Sequence, residues 1–278
     1  MQKNTLSLEK TTEQVSYNSR LLNLSAKFWF IIATVGQWIF GFYVVSVYHV
    51  STFQGNFEKW NTVLPKGYVV GDWKGNLMVG IHVILAAIMI IGGPLQFIPL
   101  VREKLPNFHR WLGRIYVVTA IVVSSAGFIM VWTRGTVGDT FMHVTNSIQV
   151  VYIIFFAVQT IRFAQKRLIK EHQKAALRLL MVANGVWFFR IGLMAWLVIN
   201  QSAVGFDPET FTGPFLWVLS TFAYAVPISL ILLEMYFYAQ KVKRQTFSNV
   251  TSTIIFLFTI IMAIGIFGAT MGMWLPRI

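Results

Sequence analysis

Four of the five histidines mark four consecutive apolar stretches: His82 lies within one, and His109, His143 and His172 lie at the starts of the next three. Imidazole is the side chain that holds iron in a b-type haem without covalent links, one ring from each of two facing helices. His82 falls about 9 Å along its helix at 1.5 Å per residue, and His143 begins a helix that enters from the same side. These two form an outer pair; His109 and His172, at the opposite ends of their helices, form an inner pair. Two haems b held this way across a four-helix core would carry electrons over a membrane. Histidine is also a common interfacial residue. His109 (Asn107-Phe108-His109-Arg110) and His172 (Lys170-Glu171-His172-Gln173) stand in basic loops, where an amphipathic side chain needs no iron.

Arg190 adds a charge to the outer level. It interrupts an apolar run about 13 Å below its outer end, where a guanidinium must face protein or a water-filled cavity. Asn146 and Gln149 come to a similar depth, so His82, His143, Asn146, Gln149 and Arg190 make one outer polar cluster. No Asp or Glu of the apolar runs is level with Arg190, since Glu234 falls near a cytoplasmic end. Such an arginine suits a haem propionate, a lipid phosphate or a carboxylate; the plainer alternative is capping of carbonyls with nearby waters. Arg178 is the corresponding propionate partner for the inner pair.

The elements that must position these residues are seven runs: Lys27–Tyr48, Asn76–Leu100, Leu112–Trp132, Thr140–Phe163, Leu177–Ile199, Pro214–Tyr238 and Val250–Trp274. Each is long enough to cross a hydrocarbon core of about 30 Å, and a chain this apolar satisfies its backbone in lipid only as helices. Lys and Arg crowd the N-terminal segment and the loops after runs two, four and six, whereas the other side carries only Lys59, Lys66, Lys74, Arg134 and Arg277. The positive-inside bias puts the N-terminus in and the C-terminus out. The net charge of +13 is therefore mostly an orientation signal, not a nucleic-acid footprint. With 56% hydrophobic and 12% charged residues, the fold class is all-α and polytopic, with seven transmembrane helices and helices 2–5 (76–199) as core bundle. Residues 1–26 read as a mobile cytoplasmic tail, and 27–278 as one transmembrane domain.

There is no cysteine, which excludes disulfides, zinc–thiolate sites, iron–sulfur clusters and c-type haem attachment. Tyr48, Trp60, Trp73, Trp111, Trp132 and Trp274 fall near predicted membrane boundaries. His49–Trp73 is the longest loop and reads as an ordered outer cap or a flexible lid. Gly92-Gly93-Pro94 predicts a bend in helix 2, and Pro227 a kink in helix 6. Gly113, four residues after His109, and Gly80, Gly92, Gly93, Gly127 and Gly185 supply small surfaces for a flat ring. The last run has no lysine, so a retinal Schiff base is excluded. No metalloprotease, P-loop, nucleophile-elbow or dinucleotide motif is present.

The four-helix histidine pattern is similar to that of the di-haem transmembrane cytochromes b. The stretch His82 … Gly93-Pro94-Leu95-Gln96-Phe97 … Arg102 … His109-Arg110-Trp111-Leu112-Gly113-Arg114 … Gly127, then His172 … Arg178 … Arg190, resembles a bacterial membrane-protein family known as domain of unknown function 2306. That resemblance covers helices 2 to 5. It implies a helical domain of the bacterial inner (cytoplasmic) membrane and the importance of His82, His109, Arg114, His172, Arg178 and Arg190, with no activity attached. The leading expectation is a haem-b electron carrier, a component of a membrane oxidoreductase meeting a redox partner. The alternative is a cofactor-free transporter or a lipid- or metabolite-binding protein, in which Arg190 anchors a small anion. A third is an accessory subunit whose groove serves a partner helix.

Overall fold

The computed structural model describes residues 20–64, 66–135, 137–242 and 244–278 in full, and residues 2–19 by their backbone. Its helices are α1 (Gln2–Val44), α2 (Ser51–Phe53), α3 (Trp73–Leu95), α4 (Pro99–Lys104), α5 (Pro106–Thr133), α6 (Thr140–Gln165), α7 (Ile169–Ala183), α8 (Gly185–Asn200), α9 (Pro214–Ser220), α10 (Ile228–Val242) and α11 (Gln245–Ala269). Among the described residues no named strand forms, and one isolated bridge joins Asp207 to Thr212. Five stretches are long and apolar enough to cross a bilayer unbroken: Arg20–Phe53, Trp73–Leu95, Pro106–Thr133, Thr140–Gln165 and Gln245–Arg277. Two further spans are broken, α7 with α8 bent by 51°, and Pro214–Ala225 with α10 bent by 48°; counted as one span each, they make seven.

Each break has a local cause. Asn184 turns its amide back to the Leu180 carbonyl (2.8 Å), a bond that competes with helix continuation, and Gly185 starts the next helix. In the sixth span Pro227 supplies no N–H and its ring excludes a helical Ala223 carbonyl, while Val226 before it is driven to φ −128°, ψ 68°. The sequence predicts the second break through Pro227. It predicts a continuous helix across Asn184, and the structure corrects this.

α6 seals both breaks. Gln149 donates to the Val182 carbonyl (2.6 Å) and Tyr152 to the Ala225 carbonyl (3.2 Å). These carbonyls have lost their helical partners within lipid depth, where an unmet polar group is costly. The breaks also touch each other: a Cβ on Gly185 would collide with the Gln149 amide and lie 2.8 Å from the Ala223 carbonyl.

The expected bend at Gly92-Gly93-Pro94 takes another form. α3 stops at Leu95, one residue past Pro94, and the glycines let it approach α5, where a Cβ at Gly93 would stand 3.0 Å from Tyr116. A turn and the separate helix α4 replace the predicted continuation to Leu100.

Packing closes the spans into a ring. α1 packs on α3, α3 on α5, α5 on α6, α6 on the π-turn Thr221–Ala225, that turn on α8, α8 on α11, and α11 on α1. At the α8–α11 seam Gly265 lies directly on the Ile191 carbonyl, the small-residue contact that membrane helices use where no hydrophobic force separates helix from lipid. Outward faces stay apolar, as with Ile81, Ile84, Ile88 and Ile91 in an exposed stripe along α3.

The tail expected over 1–26 lies largely outside the fully described residues. Arg20–Ala26 continue α1, with Leu22 buried against Ala239 and Ile255. The His49–Trp73 loop is an ordered cap: Trp60 is buried and donates to the Tyr48 carbonyl (3.3 Å), and Asn61 brackets Tyr68 through its N–H and carbonyl. Of the aromatics expected at the interface, Trp73, Trp111 and Trp132 are exposed, whereas Tyr48, Trp60 and Trp274 turn inward.

Candidate functional site

The ring encloses a cavity of about 480 Å³ in the half that the charge bias marks as outer, within the range of small-molecule sites. Helix faces repeating every three or four residues meet there. α3 contributes Val79, His82 and Ala86; α5 contributes Ala120, Ser124 and Gly127; α6 contributes His143, Asn146 and Gln149; and α8 contributes Trp187 and Arg190. Ala120, Ser124 and Gly127 are small residues on one face of α5, and their size leaves the space. Val63, Leu64 and Lys66 of the outer loop reach the cavity from above, and Trp274 and Arg277 from the C-terminal turn.

His82, His143, Asn146, Gln149 and Arg190 therefore line one cavity. α3 and α6 both pack against α5, which places His82 and His143 on its two flanks. The His82 ring rests on Gly127, where a Cβ would stand 3.3 Å from Cε1. Its Nδ1 is buried and has no hydrogen-bond partner. With Nδ1 against α5, Nε2 is the nitrogen left for the cavity. His143 stands edge-on to Trp132, ring centres 6.0 Å apart, and its Nε2 is buried and unpartnered.

Arg190 makes no ion pair or hydrogen bond among the described residues. Its guanidinium lies 5.3 Å over the Phe40 ring and within electrostatic reach of His82, Tyr48 and Tyr224. Lys66, Arg134 and Arg277 share the cavity, and no Asp or Glu among the described residues lines it. Arg134 is held at the rim by Asp72 (3.0 Å) and Asn76 (3.1 Å), with Nη1 left unpartnered.

The inner residues are arranged differently. His109 and His172 are near enough to interact electrostatically, but neither lines the cavity. Tyr116 and Ile153 line the cavity's inner end and pack with Leu179 and Leu180. His172 directs Nδ1 to the Thr160 carbonyl (3.1 Å), so that nitrogen carries a proton. Gln96, its amide nitrogen toward His109, donates to Nδ1 (2.9 Å) and to the carbonyl (3.2 Å), and its oxygen accepts from the Gly113 N–H (3.3 Å). His109 then presents Nε2–H, a donor. Gly113 thus makes room for Gln96. Arg178 forms a two-pronged pair with Glu234 (2.5 and 2.9 Å), so its charge is already met. Arg114 stacks over Trp111 at 5.3 Å. Among the described residues, no group of three or more His, Asp or Glu could hold a bare metal ion.

Among the cavity residues outside the cluster expected from the sequence are Tyr43, Trp187 and Trp274. Trp187 carried a signal, because a tryptophan ten residues into the run Leu177–Ile199 is far from the interface that usually retains it. Tyr43 and Trp274 carried none, since their inward rotation depends on the closure of α11 onto α1.

A sequence family described as "Predicted membrane protein (DUF2306)" matches residues 79–210. Over that stretch the chain is similar to this family. The matched region runs from α3 past α8 and holds both imidazoles and Arg190; α1 and the C-terminal turn, which complete the cavity wall, lie outside it. No curated protein and no solved structure matches.

Proposed function

We propose that this multi-pass membrane protein binds one haem b in its outer cavity, between His82 and His143, and serves as an electron-carrying component of a membrane oxidoreductase. One observation carries the reading: two imidazoles on separate helices, flanking α5, line a single cavity, and Nε2 of His143 is buried there with no protein group to satisfy it. An unpaired buried polar group is costly, and iron ligation is one way to repay it. Ala120 and Ser124 add small residues to the lining, and Arg190 supplies an uncompensated cation for a propionate. The bound group would supply one-electron transfer, while the chain orients it and excludes water.

The test is a reduced-minus-oxidised visible spectrum of detergent-purified protein produced with ample haem. Sharp Soret and α bands are expected, and His82→Ala and His143→Ala should each abolish them. A flat spectrum from folded protein would sink the reading. The inner pair would become a second site only if Gln96 turned its oxygen toward His109 Nδ1. Haem content that halves in both His109→Ala and His172→Ala would place a second haem there; unchanged content would leave one per chain.

A further inference from the structure

We infer that the same cavity holds a receptor for a phosphate or carboxylate group, built by Arg190, Trp187, Trp274 and Tyr43. This site lies on α1, α8 and the C-terminal turn, and it shares Arg190 with the haem reading, so the two are tested separately.

Trp187, Trp274 and Tyr43 are 2%, 1% and 2% exposed, and their Nε1, Nε1 and hydroxyl are buried without a partner. All three line the cavity with Arg190. An indole N–H and a guanidinium donate and never accept. A surface so composed is complementary to a ligand rich in acceptors and poor in donors. Tyr43 and Trp274 stack with ring centres 6.0 Å apart, and Phe40 packs on Trp274 at 5.1 Å while lying beneath Arg190. Tyr43, Trp274 and Arg190 thereby share one aromatic wall, while Trp187 packs on Phe188. The sixteen-residue helix α8 begins at Gly185, and Asn184, Val186 and Trp187 line the cavity there. Its positive end adds to the guanidinium. Lys66 and Arg277 continue the cationic lining toward the outer side; no carboxylate among the described residues lines the cavity, and Asp72 at the rim is paired with Arg134.

Haem-free protein in neutral-lipid nanodiscs should show a saturable rise in melting temperature with inorganic phosphate or succinate and none with chloride. A lipid source of the same chemistry would instead give the rise on adding phosphatidylglycerol to the discs, with soluble anions inert. In either arm Arg190→Gln should weaken the response about ten- to hundredfold, the worth of one charge-assisted bond, and Trp274→Phe about fivefold. Trp274→Phe keeps the test decisive should Arg190→Gln fail to fold. No anion-dependent shift would mean that water satisfies these donors and would overturn the proposal. A shift that persists unchanged in the variants would place the anion on the basic loops, with the same consequence. The two readings fail separately: Soret absorption without an anion response removes this site, and an anion response without Soret absorption removes the haem.

Discussion

Gly185 shows how much one hydrogen atom in place of a methyl can decide. Its Cα sits where the amide of Gln149 and the carbonyl of Ala223 converge, so the two broken spans meet over a residue with no side chain. Alanine normally favours a helix over glycine by up to about 1 kcal/mol, but here its Cβ would collide with the Gln149 amide and crowd the Ala223 carbonyl. Gly185→Ala is therefore expected to destabilise the protein by about 1–3 kcal/mol, read as a lower melting temperature in detergent. An equal or higher value would mean that the breaks are loosely packed. At this scale the sequence exposes part of the site. A charge inside an apolar run singles out Arg190, and depth counting groups it with His82, His143, Asn146 and Gln149. The donors of Tyr43 and Trp274 stay hidden, because their direction depends on which neighbour α1 and α11 choose, and uniformly apolar helices carry little periodic signal.

At the scale of the element, helix ends and breaks do most of the positioning. α6 starts at an Asp139 cap, whose Oδ1 accepts from the Met142 N–H (3.1 Å) and whose Oδ2 accepts from the Trp217 indole (2.7 Å). One carboxylate thus fixes both the rise of α6, which carries His143, and the start of the sixth span. Burial acts upward on this carboxyl, yet the Met142 and Trp217 bonds outweigh it and hold it below its ordinary value of 3.8. A lowered value means stability that is present above the ordinary value and lost as pH falls through the folded one. Asp139→Ala should cost about 1–2 kcal/mol at neutral pH, and its stability should decline less than the parent's below about pH 4. Parallel acid limbs would show that the cap contributes nothing. Pro227 makes its break legible in the sequence by removing an N–H; Asn184 does not, since asparagine within a helix gives no such chemical certainty.

At the scale of the whole molecule, the fold class was legible because membrane burial imposes length and hydropathy on every span. The closure of the ring was not, because it rests on contacts between the first and last spans that local sequence does not encode. The orientation that names one half outer can be checked cleanly, since the chain has no cysteine of its own. Glu58 and Lys166 are both exposed, on opposite sides by the charge bias. Glu58→Cys should react with an impermeant maleimide in intact cells, and Lys166→Cys only after permeabilisation; the reverse would turn the cavity toward the cytoplasm.

The double seal made by α6 also bears on how the chain is born. Translation delivers Gln149 and Tyr152 before Val182 and Ala225, so both donors precede their acceptors into the bilayer. When the broken spans follow, the groups that quiet their stray carbonyls are already waiting at the right depth. Chain order thus acts as a chaperone written into the sequence, sparing each kinked segment a period alone in lipid.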